Sequence, residues 1–151
     1  SPTVLRSDLK WLRTNGLERN VTLMAFDAKA MPFRDNSIPA SVSNLGFPSI
    51  RNDGKAVEEV FRVLVPGGVL ITNFMLTTER TTNYSKAKEL GWDQFYVQRS
   101  AEEIFRNAGF EFTLEELYHG SVRPTPGGID LFPIVPDLYS FCVLKARKPE
   151  R

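Results

Sequence analysis

The only histidine of this chain, His119, is its one side chain that ordinarily titrates close to neutral pH. It follows the strand-like run 110–118, stands beside Gly120 and precedes a proline-rich loop. A histidine there is a candidate general base for a reaction in which the nucleophile loses a proton. A solvated histidine at a strand end is the alternative, and the residues alone favour it.

An acidic residue and the only cysteine also follow or lie within apolar runs. Asp27 ends the run VTLMAF (21–26), where its carboxylate could bind a ligand or cap a turn. From the residues alone, the cap is the better interpretation. Cys142 lies within the apolar run 139–144, which predicts a buried and inert thiol. A single cysteine excludes an intramolecular disulfide and a cysteine-rich zinc site.

A group of aromatic residues could form an apolar wall for a substrate. Phe47 precedes the central helix, and Trp92, Phe95 and Tyr96 follow a polar stretch. Aromatic residues in a covering segment usually serve packing. Phe47, Trp92 and Tyr96 are nevertheless the candidate substrate-binding residues.

The stretch Ala56 to Thr72, AVEEVFRVLVPGGVLIT, is the element around which these residues must be arranged. Its first half has apolar residues at i, i+3, i+4 and i+7, which predicts an amphipathic helix. Pro66–Gly67–Gly68 breaks that helix, and the run 69–71 is typical of a strand covered on both faces. Helix, turn and strand together predict an open parallel α/β sheet.

The remaining elements flank this unit. An antiparallel pair is expected at the end of the chain, because a long loop without a helix joins the last two strands. A capping box, Ser100 to Glu103, is expected to open the last helix, which Gly109 ends. The predicted elements are helix 2–14, strand 21–26, strand 40–45, a short helix 85–90, a helix from Ser100, strand 110–118 and strand 138–146.

Three segments in order give the chain a family resemblance. They read DAKAMPF, DNSIP and RVLVPGG, and SAEEIFRNAGF with two further strands follows them. This set resembles the Rossmann-like class I S-adenosylmethionine-dependent methyltransferases. The resemblance implies an α/β Rossmann-like sheet, mostly parallel with a C-terminal antiparallel hairpin and strand order 3-2-1-4-5-7-6. It also implies S-adenosylmethionine as cofactor.

Site residues follow from the same resemblance. Asp27 would hydrogen-bond the adenine amino group, and the backbone N–H of Ala28 would face an adenine ring nitrogen. Asn44, Leu45 and Gly46 would line the methionine end of the cofactor, just past the second predicted strand. Ligands of open parallel sheets lie beyond the carboxyl ends of the strands, which supports this position.

The sequence departs from the family at its beginning. Its ten glycines include no Gly-x-Gly, the pattern of the family's cofactor loop, and the printed sequence starts at the point that matches the end of the family's second strand. We therefore expect 1–151 to be one methyltransferase-like domain that is N-terminally incomplete, with its first two strands missing and no activity alone. Strand 21–26 would then lack hydrogen-bonding neighbours, and a truncated form could restore them by pairing between chains.

Composition and absent motifs narrow the function. The net charge of +1 gives no support for a nucleic-acid or membrane partner, and a cytoplasmic protein is expected. No Asn/Asp-Pro-Pro-Tyr segment is present, which disfavours methylation of the amino groups of bases or glutamine. No Pro-Cys segment is present, which disfavours methylation of cytosine at C5. A small-molecule acceptor is therefore the predicted substrate. A non-catalytic methyltransferase-like scaffold is the alternative function. A nicotinamide-binding Rossmann domain is a weaker alternative. A homo-oligomer is also possible from the sequence. No metal site is expected.

Overall fold

A computed structural model describes residues 2–51, 54–127 and 132–150. Its helices and strands alternate in the first two thirds of the chain, and two long strands end it. The helices are α1 (Pro2–Thr14), α2 (Lys55–Val63), α3 (Thr82–Leu90) and α4 (Gln98–Asn107), and the strands are β1 (Ile38–Ser43), β2 (Leu64–Leu76), β3 (Glu111–Val122) and β4 (Asp137–Arg147). The predicted first helix is confirmed, and the short helix begins three residues earlier than expected.

The four strands form one sheet with the order β1-β2-β4-β3. β1 and β2 run parallel, whereas β2–β4 and β3–β4 are antiparallel. This order equals the last four positions of 3-2-1-4-5-7-6, so the expected C-terminal hairpin and its place beside the central strand are confirmed. The parallel part of the described sheet is a single strand pair.

The predicted strand 21–26 is wrong. The described residues give this segment no regular structure, and Val21, Met24 and Phe26 are 47%, 47% and 44% exposed. A strand requires partners for its backbone N–H and C=O groups. No described strand pairs with this run, so its backbone groups form no hydrogen bonds with a neighbouring strand despite its apolar composition.

The central helix and strand are confirmed, but two features differ from the prediction: the strand is not covered on both faces, since Val69 and Ile71 are 40% and 42% exposed, and the turn before it is not a simple break. β2 begins at Leu64, directly after α2, and Pro66–Gly68 form an irregularity inside the strand. The register moves from Ile38↔Leu64 to Ala40↔Val69, so β2 carries three extra residues there. Gly67 adopts a φ of 77°, which glycine tolerates best.

The C-terminal segment fixes this irregularity in place. The Gly67 N–H donates to the Lys148 carbonyl at 2.9 Å, and the Lys148 N–H donates to the Gly68 carbonyl at 2.9 Å. The Lys148 Nζ donates to the carbonyls of Phe61 and Leu64 at 2.7 and 2.9 Å. These bonds satisfy carbonyls at the C-terminal end of α2 that no helical N–H can reach.

The predicted capping box at Ser100 is wrong. α4 begins two residues earlier, after the N-cap Val97, which provides no side-chain cap. Ion pairs and side-chain bonds support the earlier start, since Gln98 bonds Glu102 at 2.7 Å and Arg99 bonds Glu103 at 3.0 Å. Gly109 ends the helix with a φ of 97°, as expected.

The two faces of the sheet differ in their cover. On one face Leu70, Phe74 and Leu144 are fully buried in the main core, to which α2 and α4 contribute. Cys142 belongs to that core, as the sequence predicts. On the other face α3 contributes Ala87 to a smaller cluster with Tyr96 and Tyr139.

None of the described helices combines the length and the hydropathy that crossing a membrane requires.

Candidate functional site

The segment that contains Asp27 is an exposed loop that leads to β1. The Asp27 Oδ1 accepts a hydrogen bond from the Lys29 N–H at 2.9 Å, and its carbonyl accepts from the Ala30 N–H at 3.0 Å. Ala28 is half-buried and packs against the main core. The carboxylate thus does cap a turn, and its exposure leaves its remaining lone pairs accessible to a ligand.

Arg62 of α2 holds this loop. Its guanidinium donates to the carbonyls of Met31 and Phe33 at 3.0 and 2.9 Å, and to the Asp35 carboxylate at 2.6 Å. The Nε of Arg62 donates to the Glu59 Oε1 at 2.7 Å, and the Glu59 Oε2 accepts from the Met31 N–H at 2.7 Å. A planar guanidinium can make these bonds at once.

Electrostatics stabilise the charged forms of this pair. The hydrogen bond from Arg62 lowers the pKa of Glu59, and the Met31 N–H lowers it further. The Glu59 carboxylate, with the Asp35 carboxylate second, raises the pKa of Arg62. Because α2 is packed on the core, this pair ties the Asp27 loop to a rigid element.

Asn44, Leu45 and Gly46 form a turn at the carboxyl end of β1. The Asn73 side chain of β2 locks it, with its Nδ2 donating to the Asn44 Oδ1 at 2.8 Å and its Oδ1 accepting from the Leu45 N–H at 2.6 Å. Leu45 has a φ of 51°, an uncommon conformation for a residue other than glycine. The Ala28 and Phe47 segments both border the main core.

A cavity of about 570 Å³ opens beside this turn. It lies beyond the carboxyl ends of the parallel pair, because Leu45 follows β1 and Met75 lies next to the end of β2. Its size is within the usual range for small-molecule sites. The described lining residues are Leu45, Pro48, Ser49, Met75, Trp92, Tyr96, Val122, Arg123, Thr125, Phe132, Pro133 and Tyr139.

One wall of the cavity belongs to the segment that joins β3 to β4. The ring of Phe132 contacts the Tyr96 ring edge to face, with centroids 5.2 Å apart. Asn83 of α3 is fully buried and binds the same segment, donating to the Val135 carbonyl at 3.0 Å and accepting from the Ile134 N–H at 2.8 Å. A buried amide with all these partners positions this wall.

Two of the three predicted substrate-binding residues line this cavity. Trp92 and Tyr96 do so, whereas Phe47 is buried in the main core and contacts the rings of Phe95 and Phe105. Phe95 also stacks on Phe74 with centroids 5.4 Å apart, so it serves packing.

The polar groups of the cavity include two buried atoms without partners. Among the described residues, neither the Trp92 Nε1 nor the Tyr139 hydroxyl has a hydrogen-bond partner. Burial, and secondly the Asp137 charge, raises the pKa of Tyr139 to about 12. Burial also raises the pKa of Tyr96, with the Tyr139 charge as a second cause. Both phenols are therefore protonated at neutral pH.

His119 lies on the other side of the hairpin. It is within β3 rather than at its end, opposite Ser140, and its Nδ1 is 2.9 Å from the Ser140 Oγ. Neighbouring strand residues point to opposite faces, so Ser140 and Tyr139 face different sides of the sheet. His119 borders a second cavity with Cys142 and Asp137. It does not line the first cavity, which Trp92, Tyr96 and Tyr139 border and which we call the aromatic cavity.

The described residues contain no group of histidine, cysteine and acidic side chains that could hold a metal ion. Three residues with a role at the site escaped the sequence analysis: Arg62, Asn73 and Tyr139. Asn73 had a visible signal, because it interrupts the apolar run LITNFML of a buried strand. Arg62 and Tyr139 had none, since an arginine on a polar helix face and a tyrosine in an apolar run are both ordinary.

The order of the strands, the helix between the parallel pair and the cavity beyond their carboxyl ends define a Rossmann-like methyltransferase fold. Residues 1–72 match the family described as "Methyltransferase domain". This match, which covers just under half of the chain, and the similar proteins described next support a class I S-adenosylmethionine-dependent methyltransferase with S-adenosylmethionine as its cofactor.

Individual relatives agree with this assignment. The ubiquinone/menaquinone biosynthesis C-methyltransferase UbiE of Pasteurella multocida is 35% identical over 69 residues, which are 46% of this chain and 26% of that protein. The chain thus spans about a quarter of the length of that curated relative. A putative methyltransferase of Bacillus halodurans superposes with a TM-score of 0.76 at 18% identity, covering 99% of this chain and 80% of that one.

A third relative carries the cofactor in its crystal structure. It is phosphoethanolamine N-methyltransferase 2 of Haemonchus contortus, in complex with S-adenosyl-L-methionine, and it superposes with a TM-score of 0.56 at 19% identity over 82% of this chain and 36% of that one. At such identities the two structural likenesses concern the fold alone.

Proposed function

We propose that this protein catalyses S-adenosylmethionine-dependent methyl transfer to a small-molecule acceptor. The observation that carries the proposal is the aromatic cavity beyond the carboxyl ends of β1 and β2, bordered by Leu45 of the predicted cofactor turn. Residues upstream of Ser1 would complete the cofactor site. A homo-oligomer is compatible with the proposal, and the cytoplasm is the proposed location.

Two groups of the chain would hold the cofactor. The exposed Asp27 carboxylate and the Ala28 backbone would bind the adenine, and the turn Asn44–Gly46 would border the methionine end. S-adenosylmethionine, when bound, supplies an electrophilic methyl group. The Leu45 N–H is already bonded to Asn73, so this turn would act by its shape and its fixed carbonyls.

The acceptor would be aligned by the cavity walls. Among the described lining residues there is no histidine, lysine or carboxylate, and both tyrosines keep their protons at neutral pH. Proton removal by the wall is thus not part of the proposed mechanism. Orientation of a nucleophile can by itself lower a barrier by about 7–11 kcal/mol. A role of His119 as base stays a prediction, and its side of the hairpin disfavours it.

Calorimetry with S-adenosylhomocysteine, the product form of the cofactor, tests the proposal. We expect saturable binding to the longest natural form of the protein. Asp27→Asn should weaken it about tenfold, because one hydrogen bond to a charged group is worth about 1.5 kcal/mol or more. Asp8→Asn is the matched control, since Asp8 is an exposed aspartate on α1. Absence of binding by the unchanged protein would overturn the proposal.

A non-catalytic scaffold is the second candidate function. The observation that favours it is the absence of Gly-x-Gly from this sequence. A scaffold predicts no binding of S-adenosylhomocysteine, and so the same titration separates the two functions.

A further inference from the structure

We propose that the aromatic cavity binds a flat carboxylic acid as its anion, and that Arg123, Trp92 and Tyr139 contact its oxygen atoms. This inference rests on the proposed methyl transfer, of which it specifies the acceptor class.

The described lining of the cavity carries a positive charge. Arg123 is the only charged side chain among the described lining residues, and it stands exposed at the rim. The Asp137 carboxylate is not among the described lining residues, although its charge acts on Tyr139. Its Oδ2 accepts from the Asn83 Nδ2 at 3.0 Å, and it borders the second cavity. The described lining residues thus include one cation and no acid, which favours an anionic ligand.

Two buried donors are the second argument. Tyr139 is 4% exposed, and neither its hydroxyl nor the Trp92 indole N–H has a partner among the described residues. The indole N–H can only donate, and the phenol keeps its proton to donate because its pKa is raised to about 12. An unmet buried donor costs about 1–3 kcal/mol, which a ligand oxygen would recover. A carboxylate offers acceptors alone.

The shape of the cavity walls suits a flat ligand. Aromatic or apolar side chains face the cavity from three elements, with Met75 on β2, Tyr96 before α4 and Phe132 before β4. The Tyr96 and Phe132 rings meet at an angle of 67° and form a corner. Flat unsaturated molecules pack well against such surfaces.

Ligand-observed NMR titrations with a matched pair of probes test the inference. The pair is 4-hydroxycinnamate and 4-hydroxycinnamamide, which share size and plane and differ in charge. At neutral pH we expect the acid to bind about tenfold more tightly than the amide. Arg123→Gln should reduce this preference to about twofold or less. Tyr139→Phe should weaken binding of the acid about tenfold.

Arg99→Gln is the control, because Arg99 is an exposed arginine on α4, away from the cavity. It should leave the preference unchanged. Equal affinities for acid and amide, no binding of either probe, or a preference that survives Arg123→Gln would overturn the inference. Binding of S-adenosylhomocysteine, measured in parallel, separates the two proposals. If it is absent while the acid preference holds, methyl transfer is excluded and the anion site is supported.

Discussion

Glu59 and Arg62 stand one turn apart on α2 and connect the rigid core to the loop of Asp27. Arg62 donates to both oxygens of the Glu59 carboxylate, and the Met31 N–H donates to one of them, Oε2. Neutralising Glu59 would leave the guanidinium with fewer partners and release the loop. The role of this pair is therefore to position the loop of Asp27, which we propose as part of the cofactor site.

Glu59→Gln tests that role through stability. We expect a loss of about 2 kcal/mol of unfolding free energy at neutral pH, typical of hydrogen bonds to charged groups. The Arg62 hydrogen bond holds the pKa of Glu59 below its ordinary 4.5, so its stabilisation is present above that pH and is lost as the pH falls through the lower folded value. Urea unfolding from neutral pH to about pH 3 measures both effects.

Glu103→Gln is the matched control for that variant, since Glu103 bonds an arginine at the surface of α4. It should change stability by less than about 1 kcal/mol. If the two variants were equal at every pH, the special role of Glu59 would be wrong.

Cys142 gives a second prediction at this scale. Its thiol is 4% exposed, and burial, with the Glu116 charge second, raises its pKa. Little thiolate is present at neutral pH, so a disulfide reagent should react at least about a hundredfold more slowly with the native than with the denatured chain. Val42→Cys is the control, because a thiol at this 75% exposed position should react rapidly in the native protein. Fast modification of the unchanged native chain would contradict the burial.

At the scale of elements, the junction of α2 and β2 is the most constrained place in the fold. A Cβ on Gly68 would lie 2.7 Å from the Val65 carbonyl oxygen and 3.1 Å from that of Pro39. Both are backbone atoms that cannot turn aside. On Gly67 the nearest atoms to a Cβ would belong to the exposed side chains of Arg147 and Glu150, at 3.5 Å, which is an ordinary contact distance.

Gly68→Ala should therefore be the more damaging of two adjacent substitutions. We expect it to cost about 3 kcal/mol or more, because the overpacked backbone must move. Gly67→Ala should cost about 1–2 kcal/mol, the price of a left-handed conformation. Thermal and urea unfolding of the two variants provide the measurement. Equal losses would contradict the expected clash between a side chain at position 68 and the two carbonyl oxygens.

At the scale of the whole molecule, one face of the sheet remains partly uncovered. Val42 and Ile71 are partners in the β1–β2 pair, and Val69 lies two residues before Ile71 on the same face. They are 75%, 42% and 40% exposed. Adjacent exposed apolar side chains on a sheet attract apolar dyes and other protein surfaces.

We expect the double variant Val42→Thr/Ile71→Thr to bind less anilinonaphthalene sulfonate and to associate less at high concentration. Its melting temperature should change little, since Val42 and Ile71 are 75% and 42% exposed. Dye fluorescence and sedimentation velocity measure the two effects. Leu117→Thr is the control, because Leu117 is 54% exposed but lies on β3, distant in the sheet order from β1. A reduction by Leu117→Thr of the same size would contradict a patch at Val42 and Ile71.

Local patterns in the sequence were sufficient to predict that the helices, the central strand and the final hairpin exist. The apolar spacing along α2 and the glycine at its N-terminal side act within a few residues, as do the stops at Gly16 and Gly109. The segments DAKAMPF and RVLVPGG indicated the family in the same way. In the structure they meet, because Arg62 of the second binds carbonyls of the first.

Only the tertiary structure decided the rest. The run 21–26 has strand composition, but a strand exists only where a neighbour offers hydrogen bonds, and none of the described strands does. Ser100 could have capped a helix, yet α4 begins two residues earlier, where Gln98 and Arg99 form side-chain pairs with Glu102 and Glu103. Trp92, Tyr96 and Tyr139 are distant along the chain and share one cavity, whereas His119 faces away from it. Which residues share a site depends on strand register and on the face to which each side chain points, and neither property is local to the sequence.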